Sequence, residues 1–265
     1  NGISNAIGIS AGFSHACAAL SSGQVQCWGD NYYGQLGNGS TTSSLNPVLV
    51  KGISSATSVS AGGLYTCAVL RSGAVQCWGT NSSGELGNGS KIRSAVPVTV
   101  NGISTATSVS AVGSTTCAVL RSGGVQCWGS NLSGKLGNGS TDNSSTPVSV
   151  SGITSAIAVS AGNSSACAVL NSGQVQCWGS NSGGRLGNDT LTDSSTPVMV
   201  SSINSATSVS VGDDQTCALL SSGAVRCWGG TYVPQPGNDP ATSTSVPVTV
   251  NGISDAISVS AGGFH

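Results

Sequence analysis

The segment CWGDNYYGQLGNGS, which starts at Cys27, returns as CWGTNSSGELGNGS from Cys77, CWGSNLSGKLGNGS from Cys127 and CWGSNSGGRLGNDT from Cys177. A degenerate copy, CWGGTYVPQPGNDP, starts at Cys227, and the offset is 50 residues each time, with no insertion. A chain with this period folds as successive copies of one supersecondary unit, each burying its apolar face against the next. Five repeats follow, at approximately 1–50, 51–100, 101–150, 151–200 and 201–250, with a partial sixth over 251–265 that copies residues 1–15. The five tryptophans (Trp28, Trp78, Trp128, Trp178, Trp228) hold one repeat position, and the ten cysteines hold two.

Periods inside the unit are short. Ala56–Ala61 alternates small or apolar with polar residues, as a strand does. Thr66–Leu70 and Ala74–Gly79 flank Arg71-Ser72-Gly73, with Gly73 suited to the left-handed position of a three-residue hairpin loop. Pro97–Val100 reads as a short fourth strand that starts at its proline, where no ladder donor is needed. Four antiparallel strands per unit and no useful helical period predict an all-β fold, a β-propeller of four-stranded blades. A β-solenoid is the alternative, and hairpin turns inside each unit argue against coils that wrap in one direction.

The pattern strand–turn–strand–WGxNxxGQLGxG–P–V resembles the regulator of chromosome condensation (RCC1) repeat family, in particular its secreted bacterial type. The resemblance spans the chain and is sharpest in repeats one to four. It implies a propeller of RCC1-like blades over residues 1–265 as a single domain. Propellers of this family typically have seven blades, so the chain is read as part of a longer or open array, with a closed ring of five as the alternative.

Two cysteines flank each hairpin with nine residues between them. Pairing Leu20 with Gln24 across the turn sets Cys17 opposite Cys27, close enough for a disulfide. The expected pairs are Cys17–Cys27, Cys67–Cys77, Cys117–Cys127, Cys167–Cys177 and Cys217–Cys227. Buried free thiols and metal binding are the rivals, but the spacing lacks the C-x₂-C of zinc sites, and no metal is expected. Disulfides, few lysines and abundant Ser, Thr and Asn point to a secreted or cell-surface protein. Sequons at Asn38, Asn81, Asn88, Asn131, Asn138, Asn143, Asn163 and Asn188 are compatible with glycans, although most arise from one repeated loop.

Charge excludes other classes. Eight basic against nine acidic residues give a net charge of −1, with 6% of residues charged, too few and too balanced for nucleic-acid binding. No apolar run approaches the roughly 20 residues that span a bilayer as a helix. No P-loop, G-x-S-x-G, H-E-x-x-H or calcium-loop spacing occurs, so neither an enzyme nor a cofactor is expected.

Two windows vary inside an otherwise rigid unit: residues 13–15 and 32–35, with their copies. All four tyrosines and both phenylalanines fall in them. Aromatic anchors on loops over a fixed scaffold are what protein-binding faces use. Phe13, His15, Tyr32, Tyr33, Tyr65 and Tyr232 are therefore the candidate binding residues, with the tyrosines expected on exposed loops. The expected function is a non-catalytic protein-binding module whose partner is another protein or a second copy. A structural surface, fibre or adhesion component is the alternative, followed by a nucleotide-exchange regulator or a secreted enzyme inhibitor, the roles implied by family resemblance.

Overall fold

The hairpin at the centre of each repeat follows from its turn. Gly23 adopts φ +83°, and its N–H donates to Leu20 O while Leu20 N–H donates to Gln24 O. That register sets Cys17 against Cys27 and Ala19 against Val25. The computed structural model describes residues 2–230 and 243–262. In the first repeat β1 (Ala6–Ala11), β2 (His15–Leu20), β3 (Val25–Gly29) and β4 (Ser44–Leu49) form one antiparallel sheet in chain order. The second repeat does the same with β5 (Ala56–Ala61), β6 (Tyr65–Leu70), β7 (Val75–Gly79) and β8 (Ser94–Thr99). Three further four-stranded sheets begin at Ala106, Ala156 and Ala206. Helix is confined, among the described residues, to single 3₁₀ turns at Leu132–Gly134 and Ser182–Gly184. The fold is all-β, built of propeller blades.

The fourth strand differs from its expected extent. It begins three residues before the proline, at Ser94, and Pro97 lies inside it. The ladder explains this: Cys77 pairs with Val98 and Gly79 with Ser94, and the register shifts between them. Pro97 sits in the irregular stretch of an edge strand, where its missing N–H costs nothing.

The residues divide into two compact units. The first comprises 1–122, 126–130 and 143–148, and the second 123–125, 131–142 and the described part of 149–265. Within each unit the core lies between consecutive sheets. In the first, Cys17, Cys27, Leu36, Val50 and Ile53 pack with Ala68 and Trp78 of the next repeat. In the second, Cys167, Cys177, Leu186, Val200 and Ile203 pack with Ala218 and Trp228. The third sheet's Trp128 joins Leu86, Val100 and Ile103 in the same way. Five disulfides are buried within the sheets: Cys17–Cys27, Cys67–Cys77, Cys117–Cys127, Cys167–Cys177 and Cys217–Cys227, with Cα separations of 4.0–4.1 Å and no free cysteine. Residues 251–262 follow the fifth sheet: Ala256 N–H donates to Gly223 O and Ala261 N–H to Ser210 Oγ.

Candidate functional site

The variable loops are anchored by an invariant residue that sequence reasoning passed over. Asn31 is fully buried: its Oδ1 accepts Leu36 N–H at 2.9 Å, and its Nδ2 donates to Ser40 O and Thr42 O at 3.0 Å. Asn81, Asn131 and Asn181 accept in turn from Leu86, Leu136 and Leu186 N–H. One side chain thus ties both ends of the loop joining the third and fourth strands. The signal was its identity across four repeats. The same engagement buries two of the sequon asparagines, Asn81 and Asn131, whereas Asn143 is exposed.

The backbone carbonyl that precedes the buried leucine is the second fixture. Gln35 O accepts Trp78 Nε1–H at 2.9 Å and the Thr66 hydroxyl at 3.0 Å. Glu85 O likewise accepts from Trp128 and Thr116, Lys135 O from Trp178, and Arg185 O from Trp228 and Thr216. Each large aromatic is thereby oriented across the seam between consecutive repeats.

Of the candidate binding residues, Phe13 and Tyr32 are open to solvent, at 68% and 65% exposure. Tyr33 is half-buried and meets Tyr32 edge to face, with centroids 4.9 Å apart. Arg93, from the next repeat, stands 6.0 Å over the Tyr32 ring, and its Nη1 donates to Tyr32 O at 3.3 Å. Phe13 follows the first strand, and its N–H donates to Gly63 O. His15 pairs with Gly29, and Asp30 N–H donates to Ser14 O, so the two windows converge at one end of the hairpin. Tyr232 lies outside the described residues.

Tyr65 is corrected. It is completely buried, not on an exposed loop. Its hydroxyl donates to Thr115 O at 2.7 Å and lies 2.9 Å from Thr116 Oγ1, across the seam. Burial foremost, with the nearby Glu85 charge adding, pushes its phenol far above the usual range. His15 is also buried. The Thr66 hydroxyl gives its proton to Gln35 O, so His15 Nε2–H must be the donor to Thr66 Oγ1 at 2.8 Å. That leaves Nδ1 as an unpartnered buried acceptor beside Gly12. Desolvation lowers the imidazole pKa to about 4, against a smaller opposing pull from Asp30. Thr115, Ser165 and Gln215 fill the same buried repeat position. It is a seam position, not a surface one.

Position 35, the last of the second variable window, is buried as well. Gln35, Glu85, Lys135 and Arg185 are all buried. Gln35 Nε2 donates to Asp30 Oδ2 at 2.7 Å. Lys135 Nζ donates to Asn163 O. Arg185 donates to Asp213 O and pairs with Asp214 at 3.0 Å. Glu85 Oε2 accepts Ser83 N–H, while its Oε1 has no partner. What varies at this position is the filling of each seam. The exposed remainder is a loop surface able to bury aromatic rings against a partner. No group of His, Cys, Asp or Glu suited to a metal was found among the described residues, and no described helix is long and apolar enough to cross a membrane.

Comparison with known proteins adds the family. A model described as "Regulator of chromosome condensation (RCC1) repeat" matches residues 22–69, 72–119, 122–169 and 172–219. A second of the same description matches 6–35, 56–85, 106–135 and 156–185. The human E3 ubiquitin-protein ligase HERC2 is 50% identical over 44 residues, which are 17% of this chain and 1% of that protein. The chain thus matches a very small part of its curated relatives. The crystal structure of human WBSCR16 superposes with a TM-score of 0.85 at 21% identity, over 97% of this chain and 70% of that one. Yeast RCC1 (Prp20) bound to Kap60 gives 0.82 at 19% identity, over 97% and 66%. A further structure of Prp20p from Saccharomyces cerevisiae, described with its binding properties to Gsp1p and histones, gives 0.79 at 19%, over 97% and 68%. At these identities the likeness is one of fold.

Proposed function

The chain belongs to the RCC1 repeat family, and we propose that it works there as a non-catalytic protein-binding module exported to an oxidising compartment, with residues 1–265 acting as one domain. The observation that carries this is the contrast between fixed scaffold and open loop. A disulfide staples each of the five repeats and a buried asparagine ties the loop of repeats one to four, yet Phe13 and Tyr32 are left in solvent, Tyr32 with Tyr33 and Arg93 against it. Rigid aromatic side chains lose little entropy on docking and supply most of the energy at protein interfaces. Protein binding is also what is named for yeast RCC1, in its structures with Kap60 and its properties towards Gsp1p and histones. The kind of use carries over; those partners do not.

Export is supported by five cystines, a pattern that reducing compartments do not maintain. The test is crosslinking and capture from the native surroundings with the wild-type chain and with the triple variant Phe13→Ser, Tyr32→Ser, Tyr33→Ser. Serine stands at both tyrosine positions in repeat two, so folding is expected to hold. The expected result is a partner captured by the first and lost with the second. Equal capture by both folded proteins would reject this surface.

A further inference from the structure

The loop that lies beside the Tyr32 position changes sign along the chain. In repeat two it is Lys91-Ile92-Arg93, all exposed, with Ile92 at 76%. In repeat four it is Leu191-Thr192-Asp193, also exposed, with Leu191 at 68% and Asp189 just before it. Leu132 holds in repeat three the place of Tyr32 and is 74% exposed. One surface is therefore apolar side chains flanked by two cations; the other is apolar side chains flanked by two carboxylates.

The charges are held in place by neutral partners. Arg93 donates to Tyr32 O and stacks over its ring. Asp193 Oδ1 accepts Asn181 N–H at 2.7 Å, and Asp189 Oδ1 accepts the Ser245 hydroxyl at 3.3 Å. None of these three, nor Lys91, has an oppositely charged partner among the described residues. The wider sequence follows the same division. Residues 1–122 carry five basic and two acidic residues, +3, and residues 123–265 carry three and seven, −4. Glu85, Lys135 and Arg185 are buried, which leaves the exposed contrast sharper.

We propose that the Tyr32, Lys91, Ile92 and Arg93 surface of one copy docks the Leu132, Asp189, Leu191 and Asp193 surface of a second copy of this chain. Opposed charges steer the approach and fix the register, and the exposed side chains between them supply the apolar burial. This rests on the reading that the loop surface binds protein, and it names the occupant. Charge placed on both surfaces of one chain selects a copy of itself over a partner of single sign.

Sedimentation of the full chain over a range of concentrations, at low and high salt, tests it. The wild type should associate with rising concentration, more weakly in high salt. The variant Lys91→Glu, Arg93→Glu should associate at least about tenfold more weakly, since both cations that face the carboxylates become anions. The variant Asp189→Asn, Asp193→Asn keeps both hydrogen-bond acceptors and suits the left-handed backbone of residue 189. It too should associate more weakly. Mixing the two variants restores one complementary pair, so the mixture should associate more strongly than either variant alone. A wild type that stays monomeric at every concentration would overturn the inference, as would variants that associate like the wild type. A monomeric wild type that still captures a partner through Tyr32 and Tyr33 would overturn self-docking and leave the binding-module reading standing.

Discussion

Two aromatic residues of one chemical type do opposite work here. Tyr32 is in solvent, and Tyr65 closes a seam through its hydroxyl. Tyr65→Phe removes that hydroxyl with its contacts to Thr115 O and Thr116 Oγ1, and should cost about 1–2 kcal/mol in urea unfolding. Tyr32→Ser should stay within about 0.5 kcal/mol. His15 gives a second residue-scale expectation. Its folded pKa of about 4 lies below the 6.5 of an unfolded histidine, chiefly through desolvation. Above pH 6.5 neither state is protonated and the residue is neutral to stability. Between 6.5 and 4 the unfolded chain takes up a proton that the folded one refuses, so stability falls as pH falls. The loss is at most about 3.5 kcal/mol, on the scale of ~1.4 kcal/mol per pKa unit. His15→Gln should flatten this part of the profile relative to the wild type. Parallel profiles for the two proteins between pH 7 and 4 would contradict it.

At the scale of the element, the loop between the third and fourth strands is shaped by close approach. Gly34 sits at φ +83°, and a Cβ there would fall 2.6 Å from Ala95 Cα, a backbone atom that cannot swing away. Gly52, in the turn between repeats, has φ +78° but open space around it. Gly52→Ala should cost only the left-handed penalty, about 1 kcal/mol, whereas Gly34→Ala adds a backbone clash and should cost more than about 3 kcal/mol. Equal midpoints in chemical denaturation would refute the assignment. This element also shows what the sequence could carry. The hairpin, the cystine register and the shared tryptophan position were legible because each copy repeats them. Position 15 was misread because it varies, and position 35 varies in the same way. Variation inside a repeat looks like a surface, but a seam between two repeats can hold Gln, Lys or Arg when neighbouring carbonyls and carboxylates receive their donors, and Glu when a backbone N–H reaches its carboxylate. Gln35 and Glu85 find partners in their own repeat, whereas Lys135 and Arg185 reach into the following one, which spacing within one unit does not encode. Phe13 and Tyr32 were legible as loop aromatics for the opposite reason: the adjacent repeat touches them, through Gly63 and Arg93, without covering their rings.

For the whole molecule the decisive term is the set of cystines. Each closes a loop spanning ten residues in sequence, and a loop of that size constrains the unfolded chain by about 3 kcal/mol. Five together approach ~15 kcal/mol, the upper end of the net stability of ordinary domains. A chain with 6% charged residues has few ion-pair networks to compensate. Full reduction should therefore lower the melting temperature by tens of degrees or abolish the transition. The order of events matters as well, since every cystine is buried at 6% exposure or less. Reductant reaches them only after a repeat opens, and each repeat is held mainly by its immediate neighbours. In the absence of denaturant, thiols should therefore appear slowly, paced by local opening, and quickly once a low concentration of urea is added. Time-resolved alkylation and mass spectrometry read this directly. Immediate reduction of all five in native buffer would show that the seams do not protect them. A melting temperature indifferent to complete reduction would show that the repeats stand on packing alone.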